Sequence, residues 1–322
     1  MKEERIVRLE HKYPITIGLI ADMHCGTTRA LMLDEYVTLE GQTIKANKVQ
    51  RILHKHWLKV SKIFKKYEIK YLFNVGDSFG GLNPRQDGAY RFLKNPDQIE
   101  LATQLLLEML GDRKDEVVVL NWRGTDYHET KPGSGEMHLE LTKRLQAEGV
   151  ASEFMGEAAY IEMEGKKRLR RLFVAHETPV ALVYPATLMS REIDWCLKSK
   201  ATKDTLPVDA VIRAHIHRWL HVDHDGIHAV QLPCWQAHVP YKVTTRYFFR
   251  LQPSIGGVLL LVDEAGRLRF WHFLLDEAER EKLAREVIKV KPISLTHWEK
   301  DLQWRPRALT ETEKELLKTR EY

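Results

Sequence analysis

The chain has 322 residues, enough for one large domain or two small ones with a substantial core. Its apolar (43%) and charged (30%) fractions are ordinary for a globular protein, and its longest apolar runs are strand-sized, so a disordered chain and a helical membrane span of ~20 residues are both excluded. The net charge of +5 is compatible with a phosphate-bearing substrate without specifying one. Three cysteines, Cys25, Cys196 and Cys234, are scattered and odd in number, so a reduced, cytoplasmic setting is expected and a Cys-x-x-Cys zinc site is not. The opening residues Met1 to Arg5 lead into no apolar h-region, so no secretory signal is expected.

The first informative stretch is Ile15 to Gly26. An apolar run of strand length, without alternation, ends in Asp22-Met23-His24 and then Gly26. Residues i and i+2 at a strand end share a side, so a carboxylate and an imidazole can reach one cation together. By itself Asp-x-His also reads as an ordinary strand cap. Residues 27–41 read as a loop or short lid over this motif. Residues 43–67 read as one long helix, with Val49, Ile52, Leu53, Trp57, Val60, Ile63 and Phe64 on one face. Lys45, Lys48, Lys55, Lys59, Lys62 and Lys66 line the other, read as a solvated face or as a nucleic-acid contact. No aromatic residues interleave these lysines, which weakens the second reading.

Tyr71 to Asp77 is a second buried strand, ending in Gly76-Asp77. Strand, helix, strand is a parallel crossover, so both strand ends fall on one sheet edge and Asp22, His24 and Asp77 should converge. Residues 78–96 form a loop bearing Arg85, Gln86, Tyr90 and Arg91. Asp97 reads as the cap of a helix running from Ile99 to Leu110 and closed by Gly111. A strand from Glu116 to Asn121 then leads into Gly124-Thr125-Asp126-Tyr127-His128, and Gly135 to Glu148 is helical.

The second half is richer in strands. A hairpin of 158–163 and 170–175 ends in His176, and 187–200 is helical. A strand at 208–214 ends in His215-Ile216-His217. Further hairpins are expected at 220–222 with 227–232, around Asp225-Gly226, and at 256–262 with 268–274. Asp276 with Glu279, and Thr310 with Glu313, have capping-box spacing, and Trp298, Trp304, Arg305 and Arg307 lie between them. Residues 276–322 therefore read as a helical C-terminal extension to a domain spanning 1–275.

Five strand ends thus carry ligand-type residues, each after an apolar run. This order resembles the calcineurin-like metallophosphoesterase superfamily, whose blocks run Asp-x-His, Gly-Asp, Gly-Asn-His, a lone His, and Gly-His-x-His. The match covers roughly residues 14–240, and its layout resembles a branch common in bacteriophages and prophages. The resemblance implies an α/β fold, a four-layer αββα sandwich of two mixed sheets with metals at strand carboxyl ends. It implies that one metal takes Asp22, His24 and His217. The other takes His176, His215 and a donor from the third block, and Asp77 bridges both. Mixed imidazole and carboxylate ligands suit two divalent ions, Mn foremost, with Fe or Zn next.

Two positions depart from the pattern. Ala214 replaces the usual Gly before His-x-His. In the third block, aligned without gaps, Thr125 stands for the metal-binding Asn and Asp126 for the catalytic His. Asp126 could swing in as ligand and His128 could serve as general acid; otherwise the second metal is held weakly.

The activity implied is a metal-dependent phosphoesterase, a phosphodiesterase or nuclease first, hydrolysing a phosphate ester with a metal-bridged hydroxide. A phosphomonoesterase would use the same ligands. A non-catalytic module with a decayed third block is a further alternative, opposed by the other six ligand positions. An amidohydrolase fits poorly, because its opening His-x-His pair belongs on the first strand. The expected partner is a phosphate-ester substrate, DNA or RNA included, and no membrane.

Overall fold

The computed structural model describes residues 5–11, 13–81, 91–130, 135–164, 168–177, 185–203, 205–238 and 253–289. Arg85, Gln86, Tyr90, Trp298, Trp304, Arg305, Arg307 and the capping box at Thr310 lie outside the described residues. The first compact unit spans Met1–Lys289.

Two six-stranded sheets make up its centre. One is built on β2 (Ile15–Ile20), β5 (Tyr71–Val75) and β6 (Val118–Trp122), three parallel strands buried on both faces. Continuous apolar runs suit this environment, since neither face meets water. β7 (Ser152–Gly156) adds in parallel beside β6. The antiparallel pair β13 (Gly256–Val262) and β14 (Leu268–Leu274) completes the far side, giving the order β14-β13-β2-β5-β6-β7.

The second sheet runs β1-β8-β9-β10-β12-β11. Its members are β1 (Arg5–Leu9), β8 (Ala158–Glu164), β9 (Leu169–Ala175), β10 (Ala210–Arg213), β11 (Leu220–His224) and β12 (Ile227–Gln231). β9, β10 and β12 are mutually parallel; β8 runs parallel to β1 but antiparallel to β9, and β11 runs antiparallel to β12.

The sheets pack face to face. Ile17, Leu19, Phe73, Val75 and Trp122 of one share a single buried cluster with Ile161, Leu172, Val174, Ile212 and Val230 of the other. Helices cover the outer faces. α1 (Lys48–Lys66) lies on β13, α2 (Asn95–Leu110) packs between α1 and α3 (Glu136–Ala147), and α3 lies on β6 and β7. α4 (Pro185–Thr202) covers β11 and β12 through Leu188, Met189 and Ile193. The result is the expected αββα sandwich of two mixed sheets. Leu53, Trp57, Val60 and Phe64 of α1 are fully buried. Each contributes on the order of 1.5–3 kcal/mol of apolar burial before the entropy of ordering is subtracted.

Several local expectations change. Residues 43–45 are not helical: β4 (Thr43–Lys45) pairs with β3 (Glu35–Val37), and α1 begins at Lys48, after the N-cap Asn47, which forms a capping box with Gln50. Asp97 is not the cap of α2. It lies inside the first turn, buried, where its carboxylate accepts from the Leu39 N–H at 2.8 Å and the Tyr36 hydroxyl at 3.1 Å. The expected boundary at 275 precedes α5 (Glu277–Lys289), which is capped by Asp276 and packs on α1 within the first unit. There Lys59 pairs with Glu279 at 2.5 Å and Lys48 approaches Glu286 at 3.9 Å, so part of the lysine row faces glutamates as well as solvent.

Candidate metal centre

Parallel strands bring their carboxyl ends to one edge, and the ligand-type residues follow those ends directly. Asp22 and His24 follow β2, Asp77 follows β5, Thr125 and His128 follow β6, His176 follows β9, and His215 and His217 follow β10. The loops are stitched together beyond the strands. Asp22 N–H donates to the Gly76 carbonyl and His24 N–H to the Asp77 carbonyl, both at 3.0 Å. Ala214 N–H reaches the His176 carbonyl at 3.0 Å, and His215 N–H the Asp22 carboxylate at 3.2 Å.

Asp22, His24, Asp77, His215 and His217 all have positive φ, between 47° and 79°. Non-glycine residues there cost roughly 1–3 kcal/mol each and persist only where the surroundings hold them. Five such residues at one edge mark a site whose geometry is imposed. Two glycines permit the close approach. A Cβ on Gly124 would stand 2.1 Å from Asp77 Oδ1, and one on Gly76, at φ +78°, would stand 2.5 Å from His176 Nδ1.

The donor atoms fall into three overlapping groups: Asp22, His24 and His217; Asp77, His176 and His215; and His24, Asp77 and His128. Within each group they lie within 4.8 Å of one another. His24 Nε2 is 3.0 Å from His217 Nε2, and Asp22 Oδ1 is 3.2 Å from His217 Nε2 and 3.6 Å from His24 Nε2. His176 Nε2 is 3.0 Å from Asp77 Oδ2. A coordination shell with bonds of about 2.1 Å has edges of about 3.0–3.4 Å, so these separations suit ligands around a cation.

Two further observations test the fit. Asp22 Oδ1 and His176 Nε2 are buried and have no neighbour at good hydrogen-bond geometry, only the other donor groups of the cluster. His176 Nδ1 donates to the Val75 carbonyl at 2.7 Å, which fixes the tautomer and turns Nε2 towards the carboxylates. Buried polar atoms left without well-aligned hydrogen bonds are costly, and a bound cation would satisfy both. The donor set therefore fits two divalent ions.

The electrostatics agree. Burial alone would raise the Asp22 carboxyl, but His217 and His176 outweigh it and hold Asp22 well below the usual range. Asp77 is held low in the same way, against burial, by His128 and His176. Burial opposes protonation of His176, yet Asp77 and Asp22 lift it to about 9. His217 is likewise raised, against burial, by Cys234 and Asp22. Burial keeps His24 down at about 4 and, with the charge on His176, also lowers His215. Two carboxylates thus recruit protons onto two imidazoles, the demand for positive charge that metal ions would meet instead.

The third block departs from expectation. Thr125, buried, points its N–H (2.7 Å) and hydroxyl (3.1 Å) at Asp77 Oδ1. His128 Nδ1 donates to the Gly80 carbonyl at 2.9 Å, leaving Nε2 3.7 Å from Asp77 Oδ2. Asp126 does not join them. Its carboxylate is half exposed and pairs with Arg123, which also binds Glu157. The reason is a 3-10 turn over Asp126–His128, closed by His128 N–H to the Thr125 carbonyl at 2.9 Å. In such a turn residues i and i+3 eclipse, so Thr125 and His128 face one side and Asp126 is carried round to another.

Sequence reasoning also passed over Glu129 and His138. Their side chains are fully buried and joined directly behind this loop. Glu129, next to His128, was the available signal; His138 read only as a residue of a helix.

No family profile matches the chain, and no curated protein matches it. Among solved structures it is similar to an archaeal phosphodiesterase, at 11% identity over 81% of this chain and all of the other, with a TM-score of 0.38. A dimetal phosphatase from Danio rerio is similar at 11% identity over 82% and 100% of the two chains, TM-score 0.39. A zinc complex of Vps29 from Entamoeba histolytica is similar at 11% over 81% and 100%, TM-score 0.32. Likenesses at this level carry no conclusion about the chemistry of this chain. Among the described residues, no helix is long and apolar enough to cross a membrane.

Proposed function

We propose that this chain is a dinuclear metal-dependent phosphoesterase of the calcineurin-like kind. The observation that carries the reading is the convergence of six donors from four strand ends, two in each sheet, on one edge of the sandwich, five of them on strained backbone. Asp22, His24 and His217 would hold one ion, His176 and His215 the other, with Asp77 between them. Two divalent ions bound there would clamp a phosphate and supply a nucleophile from water at neutral pH.

The protein's own groups have definite tasks in this reading. Asp77 and Asp22 provide the negative charge that offsets repulsion between two dications. Thr125 fixes the Asp77 carboxylate through two hydrogen bonds, in the role of an orienting group rather than a strong ligand. His128, oriented by Gly80, presents Nε2 at the same edge, placed to hand a proton to a departing oxygen. The proposed substrate is a phosphodiester, nucleic acid included, in keeping with the net positive charge.

The test is turnover of a chromogenic phosphodiester, a phosphomonoester, single- and double-stranded DNA, RNA and a phosphopeptide after chelation and reloading. Mn should restore activity better than Mg, because the site is rich in imidazole. Equal rescue by Mg or Ca would contradict the ligand set, and faster monoester cleavage would replace the diester reading.

A further inference from the structure

Resting on the metal reading above, we infer that Glu129 and His138 are positioning residues that hold Asp77 in its strained, metal-facing conformation. Both side chains are 0% exposed, and His138 Nδ1 donates to Glu129 Oε1. Glu129 also accepts from the Met137 N–H at 3.0 Å and is bonded by the backbone of Gly124. On the other side of the ring, His138 Nε2 accepts the Ser78 N–H at 3.3 Å, and Ser78 Oγ lies 3.2 Å from the same nitrogen. Because a backbone N–H can only donate, Nε2 is the acceptor nitrogen and Nδ1 carries the proton given to Glu129.

The line Gly124–Glu129–His138–Ser78 therefore ties the loop after β6 to the loop after β5. Between its two ends lies the bond from Thr125 N–H to Asp77 Oδ1 at 2.7 Å. Asp77 has φ +48°, and Ser78 is its immediate neighbour. Removing the acceptor for the Ser78 N–H leaves that peptide held only at its carbonyl end, by the His24 N–H, and weakens the hold on Asp77 in the left-handed region. A buried carboxylate–imidazole pair does little for stability that well-packed apolar side chains would not do. What it supplies here is two directed bonds, one to each metal-facing loop. Partners behind metal ligands of this kind change metal affinity by about 10–100-fold when removed.

The experiment compares wild type, His138→Leu, His138→Gln and Thr142→Val by Mn titration, by rate against Mn concentration, and by melting temperature. Leu keeps the apolar volume without the acceptor, while Gln returns a carbonyl that can accept from Ser78. Thr142 is buried on the same helix and bonds Asn121 and the His138 carbonyl, so it controls for general loosening. The expected result is a loss of about tenfold or more in affinity for one of the two ions in His138→Leu, with the rate restored by excess Mn. His138→Gln should recover most of that affinity, and Thr142→Val should bind both ions as wild type does. Wild-type affinities in His138→Leu would overturn the inference, as would equal Mn loss in Thr142→Val. A wild-type protein that binds no pair of Mn ions would instead defeat the metal reading itself, and the inference with it. If His138→Leu does not fold, Glu129→Gln is read by the same criteria.

Discussion

Replacing Asp77 by Asn tests the site at its centre. Asp77 is 1% exposed and is the foremost charge lifting His176, which reaches about 9 despite burial. A rise from 6.5 to about 9 corresponds to on the order of 3 kcal/mol of preference for the protonated ring. An amide of the same shape removes that charge while still accepting from Thr125. Two measurable effects should follow. In metal-free Asp77→Asn, the His176 ring, followed by NMR, should titrate well below 9, with burial now the dominant influence. In the metal-loaded protein the loss of the shared carboxylate should abolish turnover and lower occupancy, with the αββα fold intact by circular dichroism. Metal analysis and a phosphodiester assay on the same sample complete the test. Near-normal turnover with unchanged metal content would refute the reasoning, as would a His176 titration that stays near 9.

Other expectations follow from the same geometry. The metal-free protein should be most stable near pH 6.5. Stability from His176, raised when folded, is fully present below about 6.5 and lost as pH climbs towards 9. His24, depressed to about 4 when folded, costs stability as pH falls from 6.5 towards 4. Melting curves of chelated protein across pH 4–9 check both limbs, and a flat profile would contradict them. Asp126→Ala should leave metal stoichiometry unchanged, because its carboxylate pairs with Arg123 away from the donors. His128→Ala should keep both metals yet slow substrates with poor leaving groups far more than a nitrophenyl ester. Equal slowing of both would make His128 a ligand or positioning residue. Replacing Lys55, Lys59 and Lys62 by Gln should leave DNA affinity and its salt dependence unchanged if that face is merely solvated. A shallower salt slope would show phosphate contact.

Much of the architecture was legible because buried parallel strands are written as continuous apolar runs. Ile15–Ile20, Tyr71–Val75 and Val118–Trp122 have few alternatives, and the residues after them are forced to one edge. Less legible were elements whose local signals are weak or shared. β1 reads R-I-V-R-L and is a largely exposed edge strand, so charged residues break up the apolar run that marks the buried strands. β3 and β4 have three residues each, too few for periodicity. Asp97 has cap chemistry, but Tyr36 and Leu39 claim its carboxylate from elsewhere in the chain. The third block was left open between Thr125 and Asp126 because its outcome depends on a 3-10 turn. Gapless alignment sets Thr125 at the ligand position and offers Asp126 as the stronger donor that could swing in, whereas the turn presents Thr125 and His128. Glu129 and His138 escaped for a different reason. Their significance lies in bonds between residues 60 positions apart, such as Ser78 to His138, which no local pattern encodes.

The central claim is that two metal ions sit at this edge of the sandwich with Asp77 between them. Anomalous diffraction from crystals of Mn-loaded protein measures it directly. Two peaks about 3.5–4 Å apart are predicted, one against Asp22, His24 and His217, the other against His176 and His215, with the Asp77 carboxylate touching both. A single peak, or peaks away from these side chains, would contradict the account.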